Sequence, residues 1–300
     1  MVTIILYSKN GQLANRLLQF CSFISFAKQY HVRVLYPGFE DYAHFFKEHQ
    51  KSLVPGYPAN SGWPLLIARG IRKVFFVSID YMIKILQRLK FRDSHIHKII
   101  ESTELESGFA LNQQFYNSIA SKKYVFIREW GFRPDEFTKD SLKSVLENTR
   151  FMPSFYADAN RFIKEIYLKD HCVIGVHIRR GDYKNFEGGR FFYSYAEYSN
   201  WMMQIQTQFT QKTIFVVSSN DDLPKSGEFF DKALIFRPSP GHMITDLAVL
   251  SKCDYIIGPP STFSMWASFI GNVPLQMIRT NEQVMQKENF KVYVPGEIHP

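Results

Sequence analysis

Val173-Ile174-Gly175-Val176-His177-Ile178-Arg179-Arg180-Gly181-Asp182-Tyr183 is an apolar run that ends in a histidine, two arginines and an aspartate. A continuous apolar run reads as a strand buried on both faces, the kind found in parallel sheets. In open α/β sheets, ligands bind in the crevice beyond the carboxyl ends of the strands, which is where these polar residues fall. Alternation along an extended backbone puts His177 and Arg179 on one side and Arg180 on the other. One guanidinium is therefore expected to face a ligand while its neighbour turns inward and pairs with Asp182. Guanidinium matches phosphate bidentately and stays charged at any relevant pH. The local chemistry points to an anionic, phosphorylated ligand.

The second half of the chain alternates in the same way. Strand-like runs at Cys172–Ile178, Thr213–Ser218, Ala233–Phe236, Tyr255–Ile257 and Val273–Ile278 are separated by helical patterns at Tyr195–Phe209, His242–Leu250 and Thr262–Ile270. Such alternation implies a parallel, doubly wound sheet. The first 40 residues read as strand (Val2–Ser8), turn (Lys9–Gly11), helix (Leu13–Tyr30) and strand (Val32–Tyr36), a Rossmann-like opening. Residues 37–76 are rich in Pro, Gly and His and read as irregular loops. A helix is expected near Ile79–Leu89 and a strand at Tyr124–Ile127, leading to Glu129-Trp130-Gly131. Helices at Leu142–Arg150 and Ser154–Leu168 carry the chain into its second half. The expected organisation is two α/β domains, residues 1–155 and 156–300.

Three motifs, in order along the chain, resemble those of a known family. His177-Ile178-Arg179-Arg180-Gly181-Asp182-Tyr183 resembles the signature of α-1,2-fucosyltransferases of glycosyltransferase family 11. A looser version, Val-His-Val-Arg-Arg, occurs in α-1,6- and protein O-fucosyltransferases. Asn10-Gly11-Gln12-Leu13-Ala14-Asn15-Arg16-Leu17-Leu18-Gln19-Phe20 is similar to that family's Gly-Gly-Leu-Gly-Asn-Gln motif, departing at Ala14 and Arg16. Ser261-Thr262-Phe263-Ser264-Met265-Trp266-Ala267 is similar to its Ser-Ser-Phe-Ser-Trp-Trp-Ala motif. The resemblance implies the GT-B fold: two facing Rossmann-like domains with parallel sheets, the second holding the donor. It implies an inverting transfer of L-fucose from GDP-β-L-fucose to a glycan hydroxyl in α-1,2 linkage, without a metal or other cofactor. Other linkages or donors, and a non-catalytic glycan- or nucleotide-binding protein, are the alternatives.

The candidate site residues follow. Arg179 is the expected catalytic group, neutralising the leaving diphosphate. Cys253–Thr262 reads as strand, tight turn and helix start. Ser261 or Thr262 suits the helix amino-terminal cap, and that terminus, with its partial positive charge and free N–H groups, suits a pyrophosphate. Phe263 follows in the same motif. Asp246, in a first helical turn where the dipole favours a carboxylate in any case, stands where the resemblance places an aspartate that reads guanine. His177 is expected to hold the nucleoside, although a lone buried histidine is more often structural. In the first half, Gly11 permits a tight turn, and Asn15 and Arg16 are expected at the sugar or its leaving group. The plain alternative is a capped helix with a solvated arginine. Glu40, Asp41 and Glu129 are candidates for the general base, and none stands out. Asp221-Asp222 reads as a solvated loop rather than a metal site, and Arg180-Gly181-Asp182 as a strand end rather than an adhesion signal.

Composition bounds the rest. With 300 residues, 45% hydrophobic and 21% charged, there is ample core material. The 28 Phe and 16 Tyr suit a packed core more readily than a carbohydrate surface. Cys21, Cys172 and Cys253 lie in apolar surroundings without metal spacing, as buried thiols in a reducing compartment do. The chain opens directly into a strand-like run without a charged leader, and no stretch is long and apolar enough to span a bilayer. A cytoplasmic, bacterial-type protein is expected. The net charge of +8 is concentrated in residues 69–98, where Tyr81, Met82, Ile85, Leu86 and Leu89 form an apolar stripe beside a basic face. Packing on its own domain is one reading. A peripheral contact with anionic lipid at the inner membrane, useful for a lipid-linked oligosaccharide acceptor, is the other. No recognised motif accompanies the charge, which argues against nucleic acid as a partner.

Overall fold

The computed structural model describes residues 1–59, 65–91, 93–100, 110–129, 131–166, 171–223 and 230–296. Arg92 of the basic segment, Trp130 and the expected helix end at Leu168 lie outside the described residues. The chain divides into two compact units, Met1–Met152 and Pro153–Pro300. The division falls just ahead of the expected 155/156 boundary, and half-buried Phe155 stacks on His242 of the second unit at 5.1 Å.

Unit 1 runs β1 (Thr3–Leu6), α1 (Leu13–Tyr30), β2 (Arg33–Leu35), β3 (Gly56–Tyr57), α2 (Leu65–Arg88), β4 (His97–Ile100), β5 (Ala110–Leu111), α3 (Gln113–Ile119), β6 (Tyr124–Ile127), β7 (Arg133–Pro134) and α4 (Lys139–Asn148). Its main sheet has the order β3-β2-β1-β6-β4 and is parallel except for β3. Helix α1 is buried along nearly its whole length and packs against α4 and β7, so its apolar residues surround it rather than forming a stripe. The expected loop at 37–76 contains two 3₁₀ turns, Pro37–Phe39 and Ala43–Phe45. It ends sooner than expected, because α2 begins at Leu65 rather than Ile79.

Unit 2 runs α5 (Pro153–Ile166), β8 (His171–Ile178), α6 (Tyr195–Gln206), β9 (Lys212–Ser219), β10 (Phe236–Pro238), α7 (Met243–Leu250), β11 (Tyr255–Gly258), α8 (Thr262–Gly271), β12 (Pro274–Met277) and β13 (Lys291–Val292). Pro153 opens α5 at the first helical position, where its missing N–H costs nothing. The sheet order is β10-β9-β8-β11-β12-β13, parallel apart from the antiparallel edge strand β13. The chain starts at the centre with β8, walks outward to β10, then returns to the other side of β8 as β11. The gap between the carboxyl ends of β8 and β11 is therefore a topological switch point.

The two faces of β8 meet different neighbours. Ile174, Val176 and Ile178 join a core with Tyr198, Trp201, Met202 and Ile205 of α6. On the other face, Gly175 lies so close to Leu250 that an added Cβ would come within 2.6 Å of it. All three cysteines are free and buried, and burial pushes the thiol of Cys172 up to about 12. Among the described residues no helix is long and apolar enough to cross a membrane.

Candidate functional site

The end of β8 keeps the strand's alternation. His177 continues the face that looks at α7 and α8, with its ring 5.0 Å from Phe263. It is 3% exposed, and its Nδ1 is buried without a hydrogen-bond partner. Burial, with the Arg179 charge beside it, pulls the imidazole down to about 3, so the ring is neutral at any working pH. Gly258, at the end of β11, lies against the His177 backbone: an added Cβ would sit 2.8 Å from the His177 carbonyl oxygen. That close approach brings the two strand ends together.

Arg179 and Tyr183 connect these ends. Arg179 Nη2 donates to Asp182 Oδ2 at 2.8 Å, and its guanidinium lies 5.6 Å from the centre of the Tyr183 ring. Tyr183 Oη donates to the Pro260 carbonyl at 2.5 Å, and Ser261 also bonds its hydroxyl. Ser261 caps α8, its Oγ accepting the Phe263 N–H at 3.3 Å. Thr262 and Phe263, both half-buried, form the first helical turn. One tyrosine therefore holds a guanidinium beside the amino terminus of a ten-residue helix. Both carry positive potential, and an anion placed there meets fixed donors without waiting for water to reorganise.

Asp182 was expected to pair with Arg180 and does not. The 3₁₀ turn Gly181–Lys184 returns Asp182 to the Arg179 side, at i+3. Arg180 is drawn the other way, between the rings of Phe192 and Tyr195 at 4.4 and 4.7 Å. Its Nη1 donates to the Tyr193 carbonyl at 2.7 Å, and it meets Asp221 at 3.8 Å. Arg180 is thus an anchor for the loop, on the side of the strand that alternation assigned to it. Asn220, just beyond β9, accepts the Arg180 N–H at 2.9 Å.

Asp246 lies in the first turn of α7 and is 4% exposed. Its carboxylate accepts the Gly241 N–H at 2.9 Å and the Ser218 hydroxyl at 3.4 Å. Burial pushes this carboxyl up despite those donors and Ser239. It therefore sits at the carboxyl ends of β9 and β10, one strand along from the Arg179 cluster in the sheet order.

In unit 1, the Lys9–Gln12 loop and the first turn of α1, which carries Asn15 and Arg16, lie at the corresponding switch point, between β1 and β6. Gly11 adopts φ +65°, and an added Cβ would collide with Asn15 Nδ2. Asn10 Nδ2 donates to the Arg128 carbonyl at 2.8 Å, and Gln19 Nε2 to that of Glu129 at 2.7 Å. Arg16, expected at the sugar, is 6% exposed. Its guanidinium donates to the carbonyls of Gly11 and Gly38 at 3.1 and 2.8 Å and to Asp41 Oδ2 at 3.0 Å, so it braces two loops inside its own unit. Asp41 and Glu40 also hold Lys9, at 2.9 and 2.7 Å. Partial burial pushes the Asp41 carboxyl up, but the bonds from Lys9 and Arg16 outweigh it and hold the group below the usual carboxylate range. A carboxylate held ionised by two cations is a weak proton acceptor.

Residues 157–293 match the model of glycosyl transferase family 11. That span contains β8, the whole Arg179–Tyr183–Ser261 cluster and Asp246. No curated protein sequence matches the chain. Solved structures match across nearly its full length. A mutant of Arabidopsis thaliana FUT1 in complex with GDP shares 12% identity at a TM-score of 0.58, over 97% of this chain and 73% of that one. POFUT1 in complex with GDP shares 12% at 0.53, over 92% and 98%. The fucosyltransferase NodZ from Bradyrhizobium shares 11% at 0.52, over 93% and 95%. At such identities the likeness establishes the fold, the GT-B type expected from the three motifs.

Two residues of this site show their contacts only in the structure. Tyr183 was visible as the end of the signature, but its bond to Pro260 crosses 77 positions. The contact of Asn220 with Arg180 depends on β8 and β9 being neighbours. Among the described residues no three His, Cys, Asp or Glu side chains gather as metal ligands.

Proposed function

We propose that this chain is an inverting glycosyltransferase that moves L-fucose from GDP-β-L-fucose to a hydroxyl of an oligosaccharide, forming an α-1,2 linkage. The observation that carries the reading is the Arg179–Tyr183–Ser261 cluster at the β8/β11 switch point, inside the region that matches family 11. FUT1 and POFUT1, which share the fold, were solved in complex with GDP. The diphosphate binds against Arg179 and the N–H groups that open α8. As the acceptor hydroxyl attacks the anomeric carbon and releases its proton to solvent, the bond from that carbon to the diphosphate oxygen breaks and negative charge grows on the leaving group. Arg179 and the helix terminus stabilise that charge where it develops. Asp182 orients the guanidinium, and Tyr183 sets its distance from the helix. Asp246 accepts from the N1–H and amino group of guanine, a donor pair that uracil and adenine lack. Neutral His177 packs the nucleoside side of the cluster with Phe263.

The test begins with thermal shifts against GDP, UDP, CDP and ADP: a GDP-selective rise is expected. Release of GDP from GDP-fucose, but not from GDP-mannose, then fixes the sugar, and NMR of the product fixes the linkage. Selective stabilisation by another nucleoside diphosphate would overturn the donor assignment. A 1,6- or protein O-linked product would overturn the linkage alone.

A further inference from the structure

Helix α2 is apolar on two sides, and only one of them is used by its own unit. Ile79, Ile83 and Leu86 pack on Ile5, Tyr7, Ile99 and Phe126 of the sheet. On the same side Arg72, 2% exposed, donates to the carbonyls of Ser52, His49 and Gln50 and pins the helix to its preceding loop. The sequence pattern singled out Tyr81, Met82, Ile85, Leu86 and Leu89 as an apolar stripe, open to packing on its own domain or to a lipid surface. Of these only Leu86 joins the core.

The opposite side is an uncovered apolar surface. Ile67, Ile71, Val74, Tyr81, Ile85 and Leu89 recur at helical spacing, and all are exposed, Val74, Tyr81 and Leu89 by 66, 65 and 63%. Among the described residues, sixteen large hydrophobic side chains are exposed, and eleven of them lie between Ile67 and Ile96. From Ile67 to Leu89 the stripe extends roughly 30 Å at about 1.5 Å per residue. Soluble monomers rarely leave a continuous apolar surface of that length in water. Lys73, Lys84 and Arg88 border one edge of the stripe, with Lys90 just beyond the helix. The sole carboxylate within the helix, Asp80, is bonded to Lys84 at 2.6 Å.

We propose that α2 is a membrane-surface helix. It lies in the plane of an anionic bilayer, with Ile67, Ile71, Val74, Tyr81, Ile85 and Leu89 among the upper acyl chains and the lysines and Arg88 at the headgroups. The charge pattern selects this occupant. Long basic side chains bordering an apolar stripe reach back to headgroups while their stems cover apolar surface. Each adds attraction to an anionic leaflet. Two copies of α2 packed against each other would instead bring the same cations together, with only Asp80 to answer them. The proposal is independent of the transferase reading: it concerns a surface of unit 1 and is read out without turnover.

The test is flotation of the full chain with phosphatidylcholine vesicles, with and without phosphatidylglycerol. Binding is expected only on the anionic vesicles and is expected to weaken with salt. Ile71→Glu with Ile85→Glu lies wholly on the exposed stripe. It is expected to leave the melting temperature unchanged and to cut binding more than about tenfold, since each introduced charge must enter the acyl boundary. Lys73→Gln with Lys84→Gln and Arg88→Gln tests the border and also serves if the first variant melts early. It is expected to remove the preference for anionic vesicles. Equal binding to neutral vesicles, unchanged binding by both variants, or no binding to either vesicle would overturn the proposal. So would a dimer in light scattering that the Ile71/Ile85 change dissolves.

Discussion

Replacing Arg179 with alanine separates what this residue does for the fold from what it does for the chemistry. In the folded protein it pairs with Asp182, whose side chain is 54% exposed, and lies over the Tyr183 ring. A pair open to water on one side contributes about 0–1 kcal/mol, and a ring contact of this kind about 0.5–1 kcal/mol. The expected stability loss is therefore about 1 kcal/mol, a fall of roughly 2–4 °C in Tm for a unit of this size. The transition state loses more. A preorganised donor aimed at developing charge is worth about 3–4 kcal/mol, or 10²–10³ in kcat, as a rough range. The assay is GDP release from GDP-fucose at saturating substrate beside a thermal melt of the same preparation. Asp182→Asn is the companion variant: it removes the ion pair and leaves the guanidinium, so a loss of less than about tenfold is expected. An Arg179→Ala rate within tenfold of the native one would refute the reasoning. So would an Asp182→Asn rate as low as that of Arg179→Ala.

Three further outcomes are expected. Asp246→Asn removes a carboxylate that burial pushes up while keeping an oxygen for the Gly241 N–H. The nucleotide-free protein should melt no lower than the native one at neutral pH, yet lose its GDP-selective shift; a retained shift would take Asp246 out of the base pocket. His177 and His49 are pulled down to about 3 and about 4 by burial, against about 6.5 in an unfolded chain. Between those values the unfolded chain binds more protons, so stability is complete above about pH 6.5 and falls as the pH drops toward 4. Urea midpoints for His177→Asn should show a shallower acid slope than the native protein, and an identical slope would contradict the burial argument. Gly258→Ala puts a Cβ 2.8 Å from the His177 carbonyl oxygen, a backbone atom that cannot swing aside. It should cost about 1–3 kcal/mol and weaken GDP binding by parting the β8 and β11 ends; native melting and binding together would show that the two strands tolerate separation.

Elements with one unambiguous period were legible from the sequence. Helix α1 and strand β6 fall where the pattern placed them, and α8 within a residue, the last bounded by Pro259-Pro260-Ser261 before it and by left-handed Asn272 after it. The short strand β4 was not visible, since His97-Lys98-Ile99-Ile100 carries too few apolar positions to register a period. Helix α2 was read short, from Ile79 rather than Leu65, and the sequence left its apolar stripe between its own domain and a lipid surface. A helix apolar on two faces has a period but nothing local to say which face the sheet will cover.

The amino-acid sequence by itself determined the parallel α/β architecture of both units and the positions of Arg179, Asp246 and Ser261 at element ends. Hydrophobic period and capping chemistry act over a few residues, so local order is enough to place them. Only the tertiary structure decided which partner each polar group takes: Asp182 with Arg179 rather than Arg180, Tyr183 with Pro260, and Arg16 with Asp41. Those choices depend on strand order. β11 returns to lie beside β8, and the Pro37–Phe39 turn closes over β1, where an added Cβ on Gly38 would meet the Ser8 carbonyl. A charged side chain settles on whichever neighbour the sheet brings within about 3 Å, and no spacing along the chain encodes that distance.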